Sequence, residues 1–309
     1  RNLDFHSEGK WLVMSTNQGS IHLIDCLAGE EKKKINVKSS GVGHLKYTHH
    51  ELCVLMSGDK YGCYDVKYLS LYDNRYLRCF SGHQDGITSI SMNPTEDVFL
   101  TASKDRTIRR WDLSSPKETA RIVLPHSHPF GVPIVNFDSS GVIFGVMAQN
   151  LKDHSHTLRL YDARNYSAGP FQDISPPTNL QIKALTQEYP HLLEETLARP
   201  PKCFWNGFEF SRDGSHILIN TDSEIVWLVD SFRNDIQPKV FGPRKNDGNL
   251  KLGCCLSTDC QTAFVANDEN EILVYNKDTT ELLTTLTGHV SPVGCLAFNP
   301  KYDVWASAC

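Results

Sequence analysis

A unit of about 40 residues recurs along this chain, and a repeat of that period constrains the fold more than any local propensity does. The stretch "ITSISMNPTEDVFLTASKDRTIRRWDL" has counterparts in "RNLDFHSEGKWLVMSTNQGSIHLIDC", "PIVNFDSSGVIFGVMAQ", "WNGFEFSRDGSHILINTDSEIVWLVDS", "LGCCLSTDCQTAFVANDENEILVYNK" and "VGCLAFNPKYDVWASAC". A weaker unit, "VGHLKYTHHELCVLMSG", fills the gap before Arg75, which makes seven starts. Within each unit apolar residues alternate with polar ones, the period of a half-buried strand. The breakers fall between runs, at Asn93-Pro94, Asp138 to Gly141, Arg212-Asp213-Gly214 and Asn299-Pro300. A four-stranded sheet cannot bury both faces alone, so such units stack radially around a channel. The expectation is an all-β, seven-bladed propeller forming a single domain over residues 1–309. The first unit begins inside its first strand and the last stops after its second, so the seventh blade is expected to be incomplete.

Composition limits the function classes. No apolar run approaches the roughly 18 residues of a membrane span. The net charge of −5 argues against a general electrostatic grip on nucleic acid, which needs a basic face to displace counterions. The ten cysteines, among them Cys26, Cys53, Cys79 and the Cys254-Cys255 pair, show no CxxC spacing and sit mostly in apolar runs. They read as reduced core residues of a nuclear or cytosolic protein. The chain opens without an initiator Met, so a preceding segment is expected.

Gly82-His83, Gly288-His289 and Trp111-Asp112 carry a resemblance to the WD40 propeller family. The resemblance implies a structural network of His83, Thr101 or Ser103, Asp105 and Trp111. A buried imidazole, hydroxyl and carboxylate must satisfy one another, and the indole N–H needs an acceptor. A catalytic His-Ser-Asp reading is displaced by that structural one. Other units keep only parts, with Tyr161-Asp162, Tyr72-Asp73 or Val229-Asp230 at the final position.

Longer strings narrow the resemblance. "VKYLSLYDNRYLRCFSGH", "SISMNPTEDVFLTASKDRTIRRWDL", "LRLYDARNYSAGPF" and "LAFNPKYDVWASAC" resemble the WD repeat-containing protein 82 or Swd-two family. The resemblance implies a non-catalytic nuclear subunit without a cofactor. Such a subunit ties a SET-domain histone H3 lysine-4 methyltransferase (COMPASS) or a phosphatase and termination scaffold to the phosphorylated tail of RNA polymerase II. It implies a hetero-oligomer, with no direct nucleic acid and no membrane as partner. Residues 174–202, "SPPTNLQIKALTQEYPHLLEETLARPPK" in their setting, depart from the family as a long insertion. Leucines there recur at near-helical spacing around Pro190, so short helices are expected between blades four and five. They form a lid on their own blade or a partner-binding clip.

Three further constellations carry chemistry. His126, His128, His154 and His156 form two His-x-His pairs, which bind zinc only if the imidazoles converge; without a Cys or carboxylate framework they read as solvated loop residues, and no metal is expected. Leu160 to Arg164, "LYDAR", approximates a ubiquitin-ligase receptor pattern without its Trp, which keeps a cullin-type substrate receptor as the alternative. "EEKKK", Glu30 to Lys34, reads as a solvated face. Binding a phosphopeptide asks for cations on an exposed rim. Lys104 and Arg106 flank Asp105 in the turn between second and third strands, and Lys60 occupies the like turn one unit earlier.

Overall fold

The computed structural model describes residues 2–124, 132–149, 156–175, 204–233 and 238–309. They form consecutive antiparallel sheets, each a meander whose first strand lines a central channel. Blade 1 holds β1 (Asn2–Phe5), β2 (Trp11–Ser15), β3 (Ser20–Asp25) and β4 (Glu30–Asn36). Blade 2 holds β5 (Leu45–Tyr47), β6 (Cys53–Ser57), β7 (Val66–Ser70) and β8 (Tyr76–Phe80). Blade 3 holds β9 (Ile87–Met92), β10 (Val98–Ser103), β11 (Thr107–Asp112) and β12 (Ser115–Val123). Blade 4 holds β13 (Ile134–Phe137), β14 (Ile143–Gln149), β15 (His156–Asp162) and β16 (Gln172–Ile174). Blade 5 holds β17 (Trp205–Phe210), β18 (His216–Thr221), β19 (Val226–Asp230) and β20 (Lys239–Phe241). Blade 6 holds β21 (Cys254–Leu256), β22 (Thr262–Ala266), β23 (Ile272–Asn276) and β24 (Leu282–Leu286). The remaining sheet is a hairpin of β25 (Cys295–Phe298) and β26 (Trp305–Ala308).

The fold therefore corrects the expectation of seven blades: the described residues form six four-stranded sheets, and the seventh repeat supplies two strands. Counting repeat starts counts the strands that line the channel, not the sheets completed behind them. The expected short helices of the 174–202 insertion fall almost wholly outside the described residues. The described residues contain no α-helix, only a three-residue 3₁₀ turn at Tyr166–Ala168, and residues 176–202 of the insertion lie outside them.

Burial follows position in the blade. Second strands are sandwiched between neighbouring blades, so β10 and β6 are buried along their whole length and are mostly apolar, with Thr101, Ser103 and Ser57 as buried hydroxyls. Fourth strands face water, so β4 and β12 are charged and largely exposed. The core is divided among the junctions. Blades 3 and 4, for example, meet through Leu100, Ile108, Val135, Phe144 and Tyr161. Leu3, Phe5 and Leu12 of blade 1 pack on Cys295, Ala297, Ala306 and Ala308 of the hairpin, which closes the ring.

Polar groups complete the junctions. First strands leave backbone groups without sheet partners, and side chains of neighbouring blades supply them. Asp4 accepts from Tyr47 N–H (2.7 Å), Ser89 from Val135 N–H (2.8 Å) and Ser91 from Phe137 N–H (2.9 Å). On the outer side, a cation of the fourth strand reaches carbonyls of the next blade's last turn. Lys33 donates to Leu71 O (2.7 Å) and Tyr72 O (2.8 Å), Arg78 to Leu113 O, and Lys239 to Lys277 O (3.2 Å).

The Asn-Pro turns have a second role beyond breaking strands. Asn93 Oδ1 accepts from Thr95 and Glu96 N–H, while its Nδ2 donates to Gly141 O of the next blade (3.0 Å). Asn299 does the same across the closing junction, with Nδ2 donating to Gly9 O (2.7 Å). Both glycines sit at positive φ (+73° and +74°), and a Cβ on either would lie 2.4–2.6 Å from the Asn Oδ1.

Candidate functional site

Blade 3 builds its edge from one hydrogen-bond chain. Alternation along β11 puts Thr107, Arg109 and Trp111 on one face, and the turn after β10 brings Asp105 beneath the loop that carries His83. Trp111 is fully buried, and its Nε1–H donates to Thr101 Oγ1 (2.8 Å). Thr101 Oγ1 lies 2.7 Å from His83 Nε2, and His83 Nδ1 lies 2.9 Å from Asp105 Oδ2. An indole can only donate, so the Thr101 oxygen accepts there and its own hydroxyl hydrogen serves His83 Nε2. The chain is then complete with the imidazole proton on Nδ1, facing the carboxylate. Burial works against charge at Asp105, but hydrogen bonds from His83, Thr107 and the Gln84 N–H outweigh it. They hold this carboxyl well below the usual carboxylate range.

Of the two hydroxyls left open by the sequence, Thr101 is the one in the His-Trp chain. Ser103 Oγ instead donates to Asp85 O (2.9 Å) and accepts from Asp105 N–H (3.1 Å), so it shapes the turn. Gly82 has a steric reason to be glycine: a Cβ there would stand 2.3 Å from Arg109 Nη1 and 3.2 Å from Trp111 Cη2. Arg109 is a residue that sequence reasoning missed. Its buried guanidinium donates to Glu118 (2.7 Å) and Thr107 (3.2 Å) under the Gly-His loop. The available signal was a charge on the face shared by Thr107 and Trp111.

The candidate rim residues sit around that scaffold. Lys104 is exposed and Arg106 half-buried, with Arg106 at φ +66° in a turn closed by its N–H on Ser103 O (3.1 Å). Neither is in an ion pair among the described residues, whereas Lys245 on the same face is held by Glu269 (2.8 Å). Lys60 is exposed, and its Nζ donates to Lys38 O. In each sheet the first strand runs one way and the second returns. The turns bearing Lys60 and Lys104 therefore share one face with the His83 loop.

The other constellations separate. His156 is buried at the junction of blades 4 and 5, accepts from Trp205 N–H at Nε2 (3.2 Å) and stacks on that indole at 5.5 Å. It is a core residue rather than a solvated one, and His126, His128 and His154 lie outside the described residues. No group of three or more potential metal ligands converges among the described residues. Arg164 is exposed, its N–H on Asp162 Oδ1 (2.8 Å).

Sequence reasoning also missed the channel wall. The channel, about 800 Å³, brings together Asp4, Lys46 and Glu209 from blades 1, 2 and 5. Lys46 Nζ donates to Asp4 Oδ1 (2.7 Å). Burial pulls Lys46 down, but Asp4 outweighs it and raises the ammonium above its ordinary value. Glu209 faces channel water yet is ringed by protein, and that desolvation pushes it up to about 7 despite Lys46. Burial, with Lys251 nearby, brings His44 down to about 4. Only Lys46 and Asp4 hold opposite charges against one another here, while burial works against charge at both Glu209 and His44.

Comparison with known proteins agrees with the geometry. The family model "WD domain, G-beta repeat" matches residues 74–112 and 280–309. The chain is 33% identical to WD repeat-containing protein 82 of Drosophila melanogaster, over 99% of this chain and 87% of that protein. It is 29% identical to Set1 complex component swd2 of Schizosaccharomyces pombe, over 89% of this chain and 70% of the relative. Identity to COMPASS component SWD2 of Saccharomyces cerevisiae is 25%, over 99% of this chain and 87% of the relative.

Proposed function

The chain belongs to the WD repeat-containing protein 82 family, and from that premise we propose that it is a non-catalytic, nuclear scaffold subunit of a chromatin complex. Its partner is a SET-domain histone H3 lysine-4 methyltransferase or a phosphatase and termination scaffold, which it links to the phosphorylated tail of RNA polymerase II. The relatives named as Set1 complex and COMPASS components support the first half of this reading.

One observation carries the second half. Among the described residues Lys104 and Arg106 form no ion pair, on a turn whose centre, Asp105, is locked to His83 and Thr107. A rim already rigid loses little entropy on binding, and charge-assisted bonds suit phosphate oxygens. Lys60 extends the basic rim on blade 2. Affinity purification with mass spectrometry tests the assembly: recovery of a cullin adaptor in place of a methyltransferase or phosphatase scaffold would reverse the assignment. For the rim, a phosphorylated polymerase-tail peptide is titrated against wild type and Lys104→Ala/Arg106→Ala at two ionic strengths. Weaker binding in the double variant, with a shallower salt dependence, is the expected result. Equal affinity in a folded double variant removes these residues from the site.

A further inference from the structure

The turn between second and third strands of blade 2, residues 58–65, is the longest of its kind among the described residues. It is nonetheless pinned. Asp59 and Lys60 N–H both donate to Ser40 O (3.1 and 3.3 Å), Cys63 N–H donates to Lys60 O (3.1 Å), and the Lys60 ammonium caps Lys38 O. A Cβ on Gly58 would lie 2.6 Å from Cys63 Cβ, so the loop is folded closely on itself. What it presents is Tyr61, 98% exposed and the most exposed large apolar side chain among the described residues. Tyr64 meets it edge-on, with ring centroids 6.2 Å apart and planes at 83°.

An aromatic ring held in water by an ordered loop gains nothing for the fold, since burial is what an aromatic contributes. It does suit recognition, where rigid aromatic anchors dominate binding energy. With one of its donors spent on Lys38, Lys60 works as the pin of this loop, and the ring is the loop's contact surface. Lys104 and Arg106 occupy the corresponding turn of the adjacent blade on the same face and draw a segment of opposite charge past it. We infer that Tyr61, braced by Tyr64, is the apolar anchor for a ring-bearing residue, proline or aromatic, in the acidic or phosphorylated segment that Lys104 and Arg106 bind. This deepens the functional reading above and rests on it.

The test uses the full chain and two labelled phosphoserine peptides that differ at the residue beside the phosphoserine, phenylalanine in one and alanine in the other. Fluorescence anisotropy is measured for wild type, Tyr61→Ala, Tyr61→Phe and Lys104→Ala/Arg106→Ala. Tyr61→Ala is expected to weaken the phenylalanine peptide roughly 3- to 10-fold, the range of an aromatic pair. It should leave the alanine peptide at its wild-type affinity, and Tyr61→Phe should bind both peptides as wild type does. Loss of affinity in the double variant with Tyr61→Ala binding both peptides normally keeps the basic rim and overturns the anchor. If wild type binds neither peptide, or the double variant binds both unchanged, the rim reading fails and the anchor fails with it.

Discussion

Blade 3 and the β25–β26 hairpin begin alike, with Gly82-His83 and Gly288-His289, and one family model matches both regions. Their environments differ. His83 is buried and reaches Asp105 and Thr101, and through Thr101 the Trp111 indole. His289 is half-buried and lies 2.7 Å from Ser307 Oγ, the hydroxyl of its second strand. Asp105 and Trp111 come from the turn and strand that follow the second strand, and among the described residues the β25–β26 sheet has two strands and no such partners. The lesson concerns the third strand. A Gly-His start and a hydroxyl make half a network, and the other half decides whether the histidine is sealed from water. All of β25 and β26 is only half-buried, while β10 is buried throughout.

The most damaging way to break the comparison is to empty the centre of blade 3. Trp111→Ala should destabilise the fold by roughly 3–5 kcal/mol, the usual cost of deleting a large buried aromatic, read by thermal or denaturant unfolding. A loss below about 1 kcal/mol would mean that the indole is not what seals the network. Next comes the same substitution in both places. His83→Ala leaves the buried Asp105 and Thr101 short of a partner and should cost about 1–3 kcal/mol. His289→Ala, which removes one contact at a half-buried site, should cost less, about 1 kcal/mol or below. Equal losses would erase the distinction between sealed and open histidine.

Acid sharpens the contrast further. A carboxyl whose folded pKa is depressed contributes stability present above its unfolded value and lost as pH falls toward the folded one. Asp105 does this for blade 3, and the hairpin has no counterpart. Below about pH 4, hydrogen exchange in β9 to β11 should accelerate, and Asp105→Asn should flatten that dependence. The smallest effect has the opposite sign. Glu209 is raised from 4.5 to about 7, so the folded state holds a proton that the unfolded state has released. Stability therefore declines as pH rises across that window, modestly because the group faces channel water. Glu209→Gln should remove the slope, and an unchanged melting profile between pH 5 and about 8 would show that the carboxyl is fully hydrated.

The all-β propeller was legible because alternating apolar residues and turn breakers recur in register, and the β-strand period maps directly onto burial. The number of complete blades was not, since a repeat start marks a first strand whether or not three more follow. At the site, position in the repeat singles out His83, Asp105 and Trp111, but it does not distinguish Thr101 from Ser103, two hydroxyls two residues apart on one strand. Arg109 escaped because a buried guanidinium looks like a surface charge until Glu118 is seen across the sheet. Asp4, Lys46 and Glu209 escaped because only ring closure brings residues of blades 1, 2 and 5 to one wall.

The outer cations Lys33, Arg78 and Lys239 join neighbouring blades at the edge of the ring. They clamp blade 1 to blade 2, blade 2 to blade 3, and blade 5 to blade 6. Each clamp fastens a fourth strand to its neighbour at the periphery, where the apolar core is thinnest. Where a clamp joins two blades, fraying of the outer strand must break both together, so their openings become coupled events. Opening of the fourth strands is therefore expected to be coupled across blades 1 to 3 and across blades 5 and 6, which hydrogen exchange of those strands would read.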